Sequence, residues 1–84
     1  MPLYEYLKDK DYRVRKEAAN ALDKLRWKPS FEVDRAYYFI AKEEWDEVIK
    51  IGKAAIEPLT KTLSDERASS PAKKALEKIK AKKS

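Results

Sequence analysis

The sequence predicts an all-α fold, a short right-handed α-α superhelix of about six helices arranged as three hairpins. Apolar residues recur at the 3.6-residue spacing of helices, and no segment alternates apolar and polar residues as a strand does. The 84 residues suit a single domain, because a chain of this length builds only one small core. A stretch near the N-terminus also recurs near the C-terminus, and internal repeats of this kind indicate stacked hairpins.

The first hairpin is predicted to span residues 2–25. Pro2 suits the first turn of a helix carrying Leu3 and Leu7, where the N–H that proline lacks would have no partner. Asp11 is a good N-cap for the second helix. The predicted buried stripe of that helix consists of Val14, Ala18, Ala21, Leu22 and Leu25. Its solvent-facing side carries Lys16, Asn20 and Asp23.

The second hairpin is predicted to span residues 30–51. Ser30 is the candidate N-cap of a helix that ends near Lys42. Its apolar stripe consists of Val33, Ala36, Tyr37 and Ile40. A shorter helix then carries Trp45, Val48 and Ile49. Gly52, the one glycine, is predicted to end that helix in a left-handed conformation.

The third hairpin is predicted to span residues 53–82. Pro58 lies near the start of its first helix, and Ser70 and Pro71 are predicted as N-cap and first residue of its second, which runs to about Lys82. Leu3 and Leu7 align with Leu59 and Leu63 at an offset of 56 residues. At an offset of 54, the residues Ala18, Ala21, Leu22 and Leu25 align with Ala72, Ala75, Leu76 and Ile79.

Two segments carry a family resemblance, "LKDKDYRVRKEAANALDKL" and "IGKAAIEPLTKTLSD". They resemble the HEAT-like repeats of phycobilisome-lyase-type proteins, and "LRWKPSFEVDRAYYFIAKEEWDEVIKIGK" resembles an insert that some members place between repeats. The resemblance implies a helical solenoid in which Arg15, Asp9 and Asp65 help to tie neighbouring repeats together. Two departures stand out. Arg26 occupies a position where the family favours glycine, so the helix stop needs either a strained left-handed residue or another turn, and "ASSPAKKAL" replaces a Val-Arg segment.

Most of the aromatic residues are predicted to lie in the core. Tyr37 shares a helical face with Ile40, and Trp45 shares one with Val48 and Ile49. Trp27, Tyr37, Phe39 and Trp45 are together predicted to be core residues, whereas Tyr38 is the exception, since five consecutive bulky or apolar residues cannot all face inward. Tyr4 and Tyr6 belong to the first helix, which no preceding hairpin covers. We expect one to pack inward and the other to be half exposed. The alternative is an apolar end that attracts a partner or a second copy, giving a monomer or a weak homodimer through the N-terminal helix.

The composition argues against catalysis and against bound cofactors or metals. Cys and His are both absent, which removes thiol nucleophiles, imidazole bases and most transition-metal ligands. The acidic run "KEEWDE" lacks the glycine-bearing spacing of a calcium loop, and a single glycine excludes phosphate-binding glycine loops. A bilin lyase or isomerase activity follows only from the family name. No apolar run is long enough to span a membrane, and the N-terminus does not resemble a signal peptide, so we expect a cytoplasmic protein without membrane contact. The abundance of Lys and Glu is typical of proteins from thermophiles.

The leading functional prediction is a non-catalytic module for protein interaction or scaffolding, with a protein partner. Its predicted partner-binding residues lie on the outer faces of two helices: Lys16, Asn20, Asp23, Lys74, Glu77 and Lys78. The alternative is nucleic-acid binding through the last helix, because the net charge of +5 lies entirely in residues 66–84. The candidate phosphate-binding residues are Lys73, Lys74, Lys78, Lys80, Lys82 and Lys83.

Overall fold

The computed structural model describes residues 3–65 and 67–81, and these residues form helices joined by turns, without a strand. The elements are a 3-10 helix (Leu3–Lys8), α1 (Tyr12–Lys24), α2 (Glu32–Ala41), α3 (Trp45–Ile51), a second 3-10 helix (Gly52–Ala55), α4 (Ile56–Thr62) and α5 (Ser69–Ala81). The all-α prediction is therefore confirmed. This part of the chain contains five α-helices and two 3-10 helices where six helices were predicted. Pro2 and the predicted helix end at Lys82 lie outside it.

The first hairpin consists of the N-terminal 3-10 helix and α1, which pack against each other. Asp11 is the N-cap of α1, as predicted, and its carboxylate accepts the backbone N–H of Arg13 at 2.9 Å. The prediction for Leu25 is wrong. Because α1 ends at Lys24, Leu25 lies beyond the buried stripe and is 70% exposed.

Two helices end in Schellman motifs that use a residue other than glycine. After α1, the N–H of Arg26 donates to the carbonyl of Asp23 at 3.0 Å, and the N–H of Trp27 donates to that of Leu22 at 3.0 Å. Glu43 occupies the equivalent position after α2. Both residues have a positive φ, 57° for Arg26 and 60° for Glu43. Of the two possibilities at Arg26, the chain therefore uses the strained left-handed residue.

The start of α2 differs from its prediction. Phe31, rather than Ser30, is the N-cap, and it makes no side-chain capping bond. Val33 belongs to the first turn, before the buried residues of α2 begin at Ala36, and it is 37% exposed. The C-cap is Lys42, which agrees with the predicted end.

The prediction of α3 around Trp45 and Val48 is confirmed, and Gly52 is its C-cap. The φ of Gly52 is positive as predicted, but its ψ of −132° lies outside the left-handed helical region, in backbone space that side chains exclude. Pro58 lies in the first turn of α4, as predicted. The N-cap prediction for Ser70 is wrong, because α5 already begins at Ser69 and places Ser70 within its first turn.

The core consists of two clusters of buried residues joined by α2. The N-terminal cluster contains Leu7, Ala18, Ala19, Leu22, Tyr37 and Ala41. The C-terminal cluster contains Ala36, Ile40, Val48, Ala55, Leu59, Ala72, Ala75, Leu76 and Ile79. Because α2 contributes residues to both, it packs against the N-terminal 3-10 helix, α1, α3, the second 3-10 helix and α4. The radius of gyration is 12.0 Å, as expected for a compact domain of this length.

The predicted burial of the aromatic residues is confirmed only for Tyr37. Trp27, Phe39 and Trp45 are half-buried and pack against the edges of the two clusters. Tyr38, predicted to point outward, is also half-buried, and its ring meets that of Trp27 edge to face at a centroid distance of 5.5 Å. The aromatic segment is therefore mainly structural.

Candidate interaction surfaces

An open groove lies between the N-terminal 3-10 helix and α1, with a volume of about 640 Å³. Its floor consists of four apolar residues that are half-exposed or buried: Leu3, Val14, Ala18 and Ala21. Its edges carry one aromatic and three charged residues: Tyr6, Asp11, Arg13 and Glu17. We call these eight residues the N-terminal groove. Its apolar floor is open to a partner, since none of the described elements fills it.

Both tyrosines of the 3-10 helix are exposed, Tyr4 by 40% and Tyr6 by 39%, so the prediction that one packs inward is wrong. Side chains three residues apart form a row in a 3-10 helix. Tyr6 therefore aligns with Leu3 beside the groove, and Tyr4 aligns with the buried Leu7. The Tyr4 ring lies parallel to that of Trp27, with centroids 6.2 Å apart.

A second, smaller concavity of about 230 Å³ continues this exposed end of the molecule. Tyr4, Trp27 and Phe31 line it together with Lys28, Ser30 and Asp34. Phe31 is 71% exposed, so it contributes an apolar surface that the fold leaves uncovered. Exposed apolar side chains thus occur on both sides of the N-terminal 3-10 helix.

Arg15 joins the first hairpin to the loop between α4 and α5. Its guanidinium donates to the backbone carbonyls of Asp9 at 2.9 Å and Lys10 at 3.2 Å, and it forms an ion pair with the carboxylate of Asp65. The two side chains of the pair are 9% and 12% exposed. The resemblance implied contacts among these residues, and the contact with Asp9 uses its backbone carbonyl.

The environment of Asp65 lowers the pKa of its carboxyl group below the ordinary value of 3.8. Burial alone would raise this pKa, but the hydrogen bond from Arg15 and the backbone N–H groups of Arg67 and Ala68 outweigh it. The adjoining cavity measures about 230 Å³, below the roughly 300–1,000 Å³ usual for small-molecule sites. The ion pair between Arg15 and Asp65 is therefore a structural contact between distant parts of the chain.

The six predicted partner-binding residues are all exposed. Asp23 is already paired with Lys42 at 3.2 Å, and Lys42 also pairs with Glu44 at 3.2 Å. Four others form no ion pair with any residue that the structure describes: Lys16, Lys74, Glu77 and Lys78. Asn20 is uncharged. Lys16, Asn20 and Asp23 share one side of α1, and Lys74, Glu77 and Lys78 share one side of α5. The main contacts of α1 are with the N-terminal 3-10 helix and α2, whereas α5 packs on α3 and α4, so these contacts do not join the two faces.

The candidate nucleic-acid residues that the structure describes are Lys73, Lys74, Lys78 and Lys80, all exposed on α5. Lys82 and Lys83 lie outside the described residues. Four cations elsewhere lie over aromatic rings, for example Arg67 at 4.3 Å from the Tyr12 ring centre and Lys42 at 5.0 Å from that of Tyr38. The α5 lysines are not among them, so aromatic and basic surfaces stay separate here.

The acidic run near α3 is largely neutralised by neighbouring cations. Glu43 pairs with Arg67 at 3.4 Å, and Glu47 pairs with Lys50 at 3.4 Å. In residues 3–65 and 67–81, no three Asp, Glu, His or Cys side chains are placed to share a metal ion.

Sequence reasoning identified the N-terminal 3-10 helix as an uncovered end but missed the contribution of α1 to it. Val14 and Ala21 were assigned to a buried stripe, whereas both are half-exposed in the groove. The sequence made no prediction for the burial of Phe31, which lies ahead of α2 as its N-cap and is exposed. The apolar spacing of α1 did not indicate that Ala21 would be half-exposed, since residues at the same spacing in α5 are buried.

None of the described helices has the length and apolar character needed to cross a membrane. No protein-family model, curated protein or solved structure matches this chain.

Proposed function

We propose that this chain is a non-catalytic protein-interaction or scaffolding module that binds its partner through the N-terminal groove. The observation that carries this proposal is the open apolar floor formed by Leu3, Val14, Ala18 and Ala21. Uncovered apolar surface bordered by polar residues is typical of protein interfaces. The charged side chains at its edge, with Tyr6 beside them, supply the orienting polar contacts that such interfaces use.

We further propose that the module is a short right-handed, HEAT-like superhelix. Two rows of packed helices support this arrangement. The N-terminal 3-10 helix packs on α2, which packs on α4, and α3 packs on α5 in a second row. In stacked hairpins the end units keep one face without a neighbour. The groove is such a face at the first hairpin, whereas the exposed side of α5 carries lysines and suits a solvated end.

Capture experiments with three variants test the groove as the binding surface. Ala21→Lys places a charge on the groove floor while keeping a good helix former in α1. Thr60→Lys is the matched control, since it adds the same charge on the exposed side of α4. The third variant replaces the six sequence-predicted surface residues by alanine.

We expect Ala21→Lys to reduce the recovered partner at least tenfold from nuclease-treated native lysate, and Thr60→Lys to leave it unchanged. Far-UV circular dichroism of each variant verifies that its fold is intact. Equal recovery with Ala21→Lys would exclude the groove as the binding surface. Loss only with the six-alanine variant would move the interface to the polar faces of α1 and α5.

A second candidate function is nucleic-acid binding through α5. The specific observation is that all four described lysines are exposed and that none pairs with a described acidic residue. Engaging about five phosphates on duplex DNA gives a log–log salt slope of about −4 to −5. Lys74→Ala combined with Lys78→Ala should make this slope shallower by about 2. Absence of binding near 50 mM salt, or a flat salt dependence, excludes the candidate.

A further inference from the structure

The internal repeat extends to hydrogen bonds as well as to sequence. At an offset of 54 residues, Asp11 and Arg13 align with Asp65 and Arg67. In both copies the aspartate accepts the backbone N–H of the arginine, at 2.9 Å in the first and 3.0 Å in the second. The turns before α1 and α5 thus share a hydrogen bond, and the aligned residues of the first hairpin identify counterparts in the third.

The groove floor has counterparts in the third hairpin that are completely covered. Leu3 corresponds to Leu59, and Val14, Ala18 and Ala21 correspond to Ala68, Ala72 and Ala75. All four counterparts are buried, whereas Leu3, Val14 and Ala21 are half-exposed. The chain therefore contains the same surface twice, once covered and once open.

The elements that cover the second copy are α2 and α3. Leu59, Ala72 and Ala75 belong to the cluster that also contains Ile40 of α2 and Val48 of α3. Consistent with this, α3 packs on α5 and α2 packs on α4. A helical hairpin with aliphatic side chains facing inward is thus the occupant that this surface has within the molecule.

We infer that the partner of the N-terminal groove is an apolar-faced helical hairpin from another polypeptide, resembling α2 and α3 in shape. This inference rests on the proposed function and specifies the class of its partner. A second copy of the chain cannot supply this hairpin from its own α2 and α3. Its own α2 and α3 are already covered by α4 and α5, and the exposed residues of α5 include no large apolar side chain.

A fusion in which the chain carries its own candidate occupant tests the inference. A second copy of residues 30–55 is placed ahead of Met1 through a 12-residue Gly/Ser linker, whose r.m.s. length is about 20 Å. Such a linker gives an effective concentration in the millimolar range, so even weak binding is detected. The control fusion carries the same residues in scrambled order. Salt at 0.15 M screens charge repulsion between the insert and the groove edge.

We expect the native insert to raise the thermal midpoint by at least about 4 °C over the scrambled insert. Circular dichroism should also show added helix, because a lone hairpin cannot bury its apolar side and folds only when the groove receives it. Ala21→Lys should remove both effects, and Thr60→Lys should remove neither.

Equal midpoints and equal helix content for the two inserts would overturn the inference, including the case in which the native insert stays unfolded. If the capture experiment still depends on Ala21 while the native insert has no effect, the groove binds a partner of another shape and the proposed function survives. If neither experiment responds to Ala21→Lys, both proposals fail.

Discussion

Replacing Asp65 by asparagine should destabilise the fold far more than the same replacement at its repeat counterpart, Asp11. If the amide oxygen of the substituted side chain accepts the N–H of Arg67, its NH2 group takes the place of the carboxylate oxygen that accepts from Arg15. The change therefore removes both the charge and the hydrogen-bond acceptor that face Arg15. A charge-assisted hydrogen bond contributes about 1.5–3 kcal/mol, and breaking a buried pair costs about 3–5 kcal/mol. Because Arg15 keeps two carbonyl acceptors, we expect a loss of about 2–3 kcal/mol.

The total stability of an 84-residue domain is on the order of 4–12 kcal/mol, so the Asp65→Asn variant stays folded at room temperature. Its midpoint should fall by roughly 10–20 °C in a thermal melt followed by far-UV circular dichroism. Urea unfolding gives the free energy directly. Asp11→Asn is the control, since the ion pair between Asp11 and Arg13 lies on the surface, with side chains 38% and 75% exposed.

The pH dependence gives the sign of the effect independently. The pKa of Asp65 is lower in the folded chain than its ordinary value, so its stabilising contribution is complete above about pH 4 and is lost as the pH falls through the folded pKa. The stability difference between the wild type and Asp65→Asn should therefore shrink below pH 4. A difference that stays constant to pH 2, or a loss no larger than that of Asp11→Asn, would show that the ion pair with Arg15 does not stabilise the fold in this way.

Three further substitutions test backbone strain, and urea unfolding measures each of them. Arg26→Gly should stabilise the chain by roughly 0.5–1 kcal/mol, because glycine adopts the positive φ of 57° without a side-chain clash. The larger conformational entropy of glycine in the unfolded chain offsets part of this gain. Glu43→Gly should gain less, since it also removes the surface pair with Arg67; a larger gain at Glu43 would contradict this account. Gly52→Ala should cost about 1–2 kcal/mol through backbone strain alone, because nothing lies within 4 Å of the added methyl group. A neutral result at Gly52 would show that the local backbone relaxes.

Local chemistry made several parts of the fold predictable. Asp11 caps α1, Pro58 lies in the first turn of α4, and Gly52 ends α3, because each depends on the conformational preferences of one residue and its immediate neighbours. The predictions for Ser30 and Ser70 failed for a related reason. A serine is a competent N-cap, but whether a helix begins there depends on where the following turns find neighbours.

The candidate site was less predictable because burial depends on the whole chain. Leu25 and Ile79 occupy equivalent repeat positions, yet Leu25 is 70% exposed and Ile79 is buried. The Schellman turn at Arg26 ends α1 just before Leu25 can pack, whereas α5 continues past Ile79. Ala21 and Ala75 likewise have the same side chain, and Ala75 is buried because it belongs to the cluster that α2 and α3 share, whereas Ala21 is half-exposed.

The helical class, the positions of most helices and the internal repeat could all be read from the amino-acid sequence, because periodicity and capping act over a few residues. Only the tertiary structure shows which of the two equivalent surfaces is covered, because the answer depends on where α2 and α3 pack. They cover the hairpin formed by α4 and α5 and leave the groove beside α1 open. Because α2 packs against the first hairpin through Leu7, Ala19 and Leu22, the groove is the face of that hairpin on which none of the described elements packs.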